Sequence, residues 1–301
     1  MTDFDHVLVP LDGSHLAEDI LGPAAYFCLR LGARMTLLHV VEEYAPQTVH
    51  GERHLATSAE AGAYLDAIAA GLRSTGVDVD AHVHQRSVGD VAAAIDTHAH
   101  EFDADLIAMC KHGRTGLRQR LVVGSIAQQI LRAGGTPILL RMPRVTREPE
   151  SFSVARVLIP LDAHHDAGAA LAAARDLCLS FGATADLLTV VPSLAEARKA
   201  TPAVRLLPSA AAAQLQMERD DATLTLLEHS RGLESAGIST RVATRVEEPA
   251  EAILKEADDV NADLIVLSTH ARTGFGAWYT GSTGYRVITE AKQTLLLLRE
   301  L

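Results

Sequence analysis

The sequence carries the same pattern of apolar and polar segments twice, and this repeat limits its fold more than any other feature. The segment VLVPLD at 7–12 returns as VLIPLD at 157–162, and LLHVV at 37–41 returns as LLTVV at 187–191. Each pair is separated by 150 positions. Self-similarity at a constant offset indicates two copies of one structural unit.

The second halves of the two copies match at a larger offset. ADLI at 104–107 returns at 262–265, and TPILLR at 136–141 returns as TLLLLR at 294–299, both 158 positions later. The step of eight positions places an insertion within 192–240 of the second copy. Two internally constant offsets make a chance likeness between unrelated α/β patterns a poor explanation.

The repeat also sets the domain boundaries. A chain of 301 residues has the length of two ordinary domains. Residues 143–151 are polar, contain two prolines and show no apolar period, which is typical of a linker. We therefore predict one domain over 1–142, a linker over 143–151 and a second domain over 152–301.

Short apolar runs alternate with segments of helical spacing in each copy. The first copy has predicted strands at His6–Leu11, Arg34–Val41, Val77–Arg86, Leu106–Met109 and Pro137–Arg141, and predicted helices at His15–Leu31, His54–Ser74, Val88–His100 and 125–133. This alternation predicts an α/β fold with two tandem, doubly wound, five-stranded parallel sheets and flanking helices. We expect the strand order 3-2-1-4-5.

In that order the sheet reverses between the first and fourth strands, and ligands of such sheets bind there, outside the carboxyl ends of the strands. In the first copy this place is lined by Pro10, Leu11 and Asp12 after strand one, and by the loop from Cys110 to Ser125 after strand four. Glycine-rich backbone and a helix start favour phosphate, and a carboxylate can accept from ribose hydroxyls. The segments together predict a mononucleotide site.

The motifs VLVPLDGS, HVV at the end of strand two, and HGRTG followed by Gly-Ser resemble the universal stress protein family over nearly the whole chain, twice. The resemblance implies a Rossmann-like fold of the adenine nucleotide alpha hydrolase-like type. It also implies a nucleotide site, with the strand-one Asp and a strand-two Val at the adenosine and glycines at the phosphates. Carried over, the site residues are Pro10, Leu11, Asp12, Val40, Cys110, Gly113, Arg114, Gly124 and Ser125 in the first copy, and Asp162, Val190, Ser268, Ala271, Gly281 and Ser282 in the second.

Both copies depart from the family's G-x2-G-x9-G-[S/T] signature. In the first copy Cys110 stands at the first glycine, and ten residues rather than nine separate Gly113 from Gly124. In the second copy the spacing of nine is kept, but Ser268 and Ala271 replace both early glycines. We favour the first copy, which keeps the second glycine and has Lys111, Arg114, Arg118 and Arg120 near the loop.

The resemblance implies a stress-response protein that binds ATP or AMP, with or without Mg²⁺, in at least one domain and acts as a sensor or regulator. It also implies pairing of the two domains through their last strands, and a homodimer is plausible. Two other functions stay open: an interaction scaffold with vestigial sites, and a weak ATPase or other hydrolytic or phosphotransfer enzyme. We predict no catalytic residues and no metal ligands.

Charge and cysteine content limit the partners and the compartment. The net charge of −11 disfavours nucleic acid and anionic membrane surfaces. Three cysteines without metal-type spacing, and no secretory leader, predict a reduced cytoplasmic setting. Cys110 lies at the predicted ligand loop, which leaves a redox role open. His82 and His84 are expected on an exposed strand face, and His98 and His100 in solvent.

Overall fold

The computed structural model describes residues 4–42, 47–87, 90–111, 125–133, 135–143, 151–162, 167–191, 193, 208–270 and 283–300. The chain divides into two compact units. The first-repeat unit consists of residues 3–153, 269–277 and 288–301, and the second-repeat unit consists of residues 1–2, 154–268 and 278–287. The last strand of the second repeat therefore packs with the first repeat.

The first-repeat unit is built on a mostly parallel sheet. Its strands are β1 (His6–Pro10), β2 (Arg34–Glu42), β5 (Val79–Ser87), β6 (Leu106–Cys110), β7 (Ile138–Arg141) and β12 (Thr294–Glu300). They lie side by side in the order β5-β2-β1-β6-β7-β12. In the first repeat this is the third, second, first, fourth and fifth strand of the chain. The reversal between β1 and β6 places their carboxyl ends at one edge of the sheet.

β12 joins this sheet antiparallel to β7. Leu295, Leu296 and Leu297 lie opposite Leu140, Leu139 and Ile138, respectively. All six side chains are buried. The pairing gives hydrogen-bond partners to the backbone edge of β7. Without β12 this edge would be unpaired, and unpaired edge strands are prone to aggregation.

Five helices of the first repeat are described: α1 (His15–Glu18), α2 (Leu21–Leu31), α3 (Ser58–Ser74), α4 (Val91–Glu101) and α5 (Ser125–Ala133). The side chains of Ser14, Thr57 and Asp90 each accept a backbone N–H at a helix start. Gly32 ends α2 with φ of 74°, a left-handed conformation that glycine adopts without strain. These caps explain why the helices begin and end where they do.

The single helix expected over His15–Leu31 is instead two helices. α1 ends at Glu18, and α2 begins at Leu21. Pro23 explains the break, because proline has no N–H to bond the carbonyl four residues before it, and its ring clashes with that carbonyl. Restarting the helix at Leu21 places Pro23 in the first turn, where a missing N–H costs nothing.

The second-repeat unit repeats the pattern. Its strands are β8 (Arg156–Leu161), β9 (Thr184–Val191), β10 (Thr240–Val246) and β11 (Leu264–His270), in the order β10-β9-β8-β11. Its helices are α6 (Gly168–Phe181), α7 (Pro208–Ser235), α8 (Pro249–Asp259) and α9 (Thr283–Glu290), of which residues from Ile288 belong to the first-repeat unit. α7 has 28 residues against 17 in the equivalent α3, and it lies within 192–240, the region in which the eight-residue insertion was predicted.

Both repeats keep one hydrogen-bonded joint, in which an aspartate just before β6 or β11 accepts from the backbone of β1 or β8. They differ in the polar pair beside this joint. Asp105 accepts from the backbone N–H of His6, and the equivalent Asp263 accepts from the N–H of Arg156. Beside this joint, His6 Nε2 bonds Thr36 in the first repeat, at 2.7 Å. The equivalent positions in the second repeat hold the ion pair of Arg156 with Asp186, at 3.4 Å. The backbone joint is thus retained while the buried polar pair beside it differs.

The histidines of β5 do not lie on an exposed face, contrary to the prediction. His82 and His84 are half-buried, and their ring centroids lie 4.9 and 4.8 Å from that of His98 on α4. His98 is itself buried, with 8% of its side chain exposed, whereas His100 is 64% exposed. The prediction failed for His98 because α4 packs across this face of the sheet. No helix among the described residues is both long and apolar enough to cross a membrane.

Candidate functional site

The turn after β1 is the best-defined part of the predicted site. Pro10 ends β1, and the N–H of the buried Leu11 donates to Leu38 O of β2 at 2.8 Å. The parallel ladder therefore continues one residue beyond the strand. Asp12 follows directly, at the carboxyl edge of the sheet.

Asp12 is held in a fixed orientation by its own turn. Its Oδ1 accepts from the backbone N–H of Ser14 at 2.9 Å and from the Ser14 hydroxyl at 2.6 Å. Ser14 Oγ in turn accepts from Ala17 N–H at the start of α1, at 3.2 Å. Asp12 Oδ2 lies 3.5 Å from His50 Nε2, and 30% of the Asp12 side chain is exposed. A preoriented, partly exposed acceptor is thus present where the sequence predicted one.

A residue near the end of β2 is hydrogen-bonded to this turn. Val40 is buried, with 8% exposure. The neighbouring His39 donates from Nδ1 to Leu11 O at 2.7 Å, and burial lowers the pKa of this histidine. In the second repeat Thr189 takes the same position and donates to Leu161 O at 3.0 Å. Sequence reasoning did not identify either residue, although both occupy the same place in the LLHVV and LLTVV segments.

A short hairpin, also missed from the sequence, covers the turn. Its strands are β3 (Thr48–Val49) and β4 (Glu52–Arg53), paired antiparallel. The two residues between them have positive φ, 51° at His50 and 84° at Gly51, as a type I′ turn requires. The His-Gly pair in a polar stretch was the available signal for this turn.

Cys110, a predicted site residue, is the last residue of β6 and is buried. β6 lies beside β1 in parallel, so Cys110 at the end of β6 and Asp12 just after β1 lie at the same edge of the sheet. Cys110 is 2% exposed, and its burial raises the pKa of the thiol well above its usual range. The thiolate needed for redox chemistry is therefore strongly disfavoured in the folded protein.

Lys111 is buried rather than directed to a phosphate. Its ammonium donates to three backbone carbonyls at the end of α9, Ile288 O, Thr289 O and Ala291 O, at 2.6, 3.1 and 3.0 Å. Only 3% of the residue is exposed, and burial lowers the pKa of the lysine to about 8. Its positive charge complements the negative end of the α9 dipole. Its position in the sequence, next to the predicted ligand loop, had suggested a cation near the phosphates instead.

The remaining predicted residues are placed only in part. Ser125 is the first residue of α5, in agreement with the predicted helix over 125–133. In the second repeat Asp162 is exposed, and Val190 and Ser268 are half-buried. Gly113, Arg114, Gly124, Ala271, Gly281 and Ser282 lie outside the described residues. Within the described ranges, no three His, Cys, Asp or Glu side chains form a group that could hold a metal ion.

Comparison with known proteins identifies the lineage of both repeats. The sequence pattern of the universal stress protein family matches residues 3–140 and again residues 154–299. The chain belongs to the universal stress protein family. The predicted resemblance and the α/β fold class are thus confirmed, with one family domain in each repeat.

Similar proteins include one that matches about half of this chain and two solved structures that align with nearly all of it. A protein named as a universal stress protein in Staphylococcus aureus (strain USA300) is 28% identical over 150 residues, which cover 46% of this chain and 85% of the relative. The crystal structure of a universal stress protein from Archaeoglobus fulgidus DSM 4304 aligns over 99% of this chain and 97% of its own, with 17% identity and a TM-score of 0.71. A protein of unknown function from Pseudomonas aeruginosa PAO1 aligns over 99% and 93%, with 18% identity and a TM-score of 0.68.

Nucleotide complexes are known for other members of the family. One universal stress protein has been solved with cAMP, and one from Archaeoglobus fulgidus has been solved with dAMP. They align with 47% and 46% of this chain, at TM-scores of 0.36 and 0.34. These nucleotides are the ligands of those two proteins.

Proposed function

We propose that this universal stress protein binds ATP or AMP in its first repeat and uses the bound nucleotide to sense or regulate a stress response. The observation that carries the proposal is the fixed carboxylate of Asp12 at the reversal point of the sheet. One oxygen is engaged by Ser14, and the other lies 3.5 Å from His50 Nε2 in a side chain that is 30% exposed. A preoriented acceptor of this kind suits a ribose hydroxyl.

We favour the first repeat over the second. Asp12 is half-buried at the carboxyl edge of the sheet, whereas Asp162 is exposed. Ser14 already orients the Asp12 carboxylate, which therefore loses little conformational freedom when it accepts from a ligand. Adenine is the base that the family resemblance implies, and the loop that contains Gly113, Gly124 and Ser125 would supply the phosphate contacts.

Calorimetric titration of the full chain with ATP and AMP, with and without Mg²⁺, tests the proposal. We expect Asp12→Asn to weaken binding at least ten-fold, because the amide places a donor where a ribose hydroxyl needs an acceptor. Asp162→Asn is the matched control in the second repeat and should leave the affinity unchanged. No heat and no thermal shift at millimolar nucleotide would refute the proposal and favour the scaffold function.

A second matched pair tests the phosphate end. Gly124→Val should abolish binding, whereas Gly281→Val should not, because the added side chain blocks close approach of backbone to phosphate only in the repeat that binds. Loss of binding in Gly281→Val alone would assign the site to the second repeat.

The wider organisation is part of the same proposal. We place the domains over 1–142 and 152–301 with a linker over 143–151, the protein in the cytoplasm, and two copies in a homodimer. Sedimentation of the full chain with and without ATP measures the assembly state. A single sedimenting species of about 32 kDa in both conditions would contradict the homodimer.

A further inference from the structure

The hairpin and the residues that follow it contact the turn that carries Asp12. We refer to Thr48–Leu55 as the cover. Its His50 places Nε2 3.5 Å from Asp12 Oδ2. Its Glu52 accepts through Oε2 from the backbone N–H of His15, the first residue of α1, at 3.3 Å. Two polar contacts thus join the cover to the carboxyl edge of β1.

An apolar contact seals the same place. A Cβ atom built on Gly13 would lie 2.8 Å from Leu55 Cδ1 and 2.9 Å from Leu55 Cγ. Gly13 also has φ of 87°, which disfavours other residues. Leu55 therefore lies directly against the backbone between Asp12 and Ser14.

The cover lies against the group that a nucleotide would need. Asp12 Oδ1 is engaged by Ser14, so Oδ2 is the oxygen left for a ribose hydroxyl, and His50 Nε2 lies 3.5 Å from it. Glu52 holds the cover in this position through its contact with the His15 N–H. A ribose within hydrogen-bonding distance of Oδ2 would meet the imidazole of His50, so the ligand and the closed cover compete for the space at this oxygen.

The closed arrangement also has an internal cost. His54 Nδ1, in the cover itself, is buried and has no hydrogen-bond partner among the described residues. The ring of His54 lies 6.2 Å from that of His39 on β2. A buried polar atom without a partner raises the free energy of the state that buries it. Opening the cover would hydrate this atom, which offsets part of the contact energy lost.

We infer that the cover is an internal competitor of the nucleotide: His50 lies at Asp12, Glu52 and Leu55 hold the cover there, and ligand binding displaces it. The inference rests on the proposed function, since it concerns the same site. It assigns to the cover the control of nucleotide affinity, so that whatever stabilises the closed hairpin weakens binding.

The test compares nucleotide affinity in cover variants of the full chain. His50→Ala should bind ATP about two- to five-fold more tightly than wild type, the range expected for the loss of one partly exposed polar contact. The double variant His50→Ala/Glu52→Ala should gain roughly ten-fold. His100→Ala, the same substitution at an exposed histidine on α4, is the matched control and should not change the affinity.

Hydrogen exchange provides the second readout. Amides of Val49 to Arg53 should exchange faster in His50→Ala without ligand, and faster in wild type at saturating ATP. Unchanged or weaker binding by the cover variants, or slower exchange of these amides with ATP, would overturn the competition while leaving nucleotide binding intact. Absence of binding in wild type and in every variant would instead refute the proposed function, and the competition with it.

Discussion

Replacing Lys111 by methionine should destabilise the protein, because the buried ammonium is the donor to three carbonyls at the end of α9. Methionine has a similar volume but no N–H. Leaving buried acceptors without a donor costs about 1–3 kcal/mol each. Burial lowers the lysine pKa from 10.5 to about 8, so removing the charge recovers about 3 kcal/mol. Together these terms bracket a net loss of about 0–6 kcal/mol at pH 7, and we expect a value near the middle, about 3 kcal/mol.

The pH dependence checks the same reasoning independently. Below pH 8 the lysine is protonated in both folded and unfolded chains, so the cost of burying the ammonium is fully present. Between about pH 8 and 10.5 the unfolded chain holds a proton that the folded protein has lost, and stability rises with pH. The free-energy gap between wild type and Lys111→Met should therefore widen by about 2 kcal/mol from pH 7 to 9.5.

Urea unfolding at both pH values measures these two quantities. Lys255→Met is the matched control, since Lys255 is 53% exposed and pairs with Glu247 at the surface. It should change stability by less than about 0.5 kcal/mol at either pH. A Lys111→Met protein as stable as wild type at pH 7 would show that the carbonyls of α9 do not depend on this donor. A gap that narrows at pH 9.5 would contradict the lowered pKa.

Three further predictions follow from buried groups of the first-repeat unit. The pKa of His82 is lowered by burial and by the neighbouring histidines, so stability held by its neutral form should be lost as pH falls below about 6.5. His82→Gln should flatten that loss in urea midpoints measured from pH 7 to 5, and a parallel profile would refute the assignment. The Cys110 thiol should resist iodoacetamide in the folded protein at pH 8 and react in urea, as followed by mass spectrometry, and rapid labelling of the native thiol would contradict its burial. Leu296→Ala should cost about 2–5 kcal/mol in urea unfolding, against less than about 0.5 kcal/mol for Leu224→Ala at an exposed site, and equal losses would argue against the β7–β12 pairing.

The repeat made the strands and most helices predictable. Strands buried on both faces, such as Val7 to Val9, appear in the sequence as continuous apolar runs, and both copies supply the same run. The division of the first helix was also within reach, because Pro23 stands in the middle of the predicted segment. It was missed because apolar spacing continues through the break.

The surroundings of the site residues were less predictable, because they depend on contacts between distant parts of the chain. Asp12 and its bracing by Ser14 are local, and sequence reasoning found the residue. The bonds of Lys111 join residues 177 to 180 positions apart, which local sequence patterns cannot reveal. The burial of His98 similarly depends on how α4 crosses the sheet. In the sequence His98 lies near the end of a helix among polar residues, and that pattern predicts an exposed side chain.

The pairing of β7 with β12 has a consequence for synthesis. The strand that completes the first-repeat sheet is encoded at the far end of the chain, more than 150 positions after β7. At about 5–20 residues per second, a ribosome needs roughly 8–30 s to deliver it. During that time β7 of the nascent first repeat is an unpaired, leucine-rich edge strand. A stalled or truncated chain therefore keeps this edge exposed, although its first repeat has been synthesised in full. The first repeat thus depends on β12, a strand outside its own sequence and translated last, to cover its aggregation-prone edge.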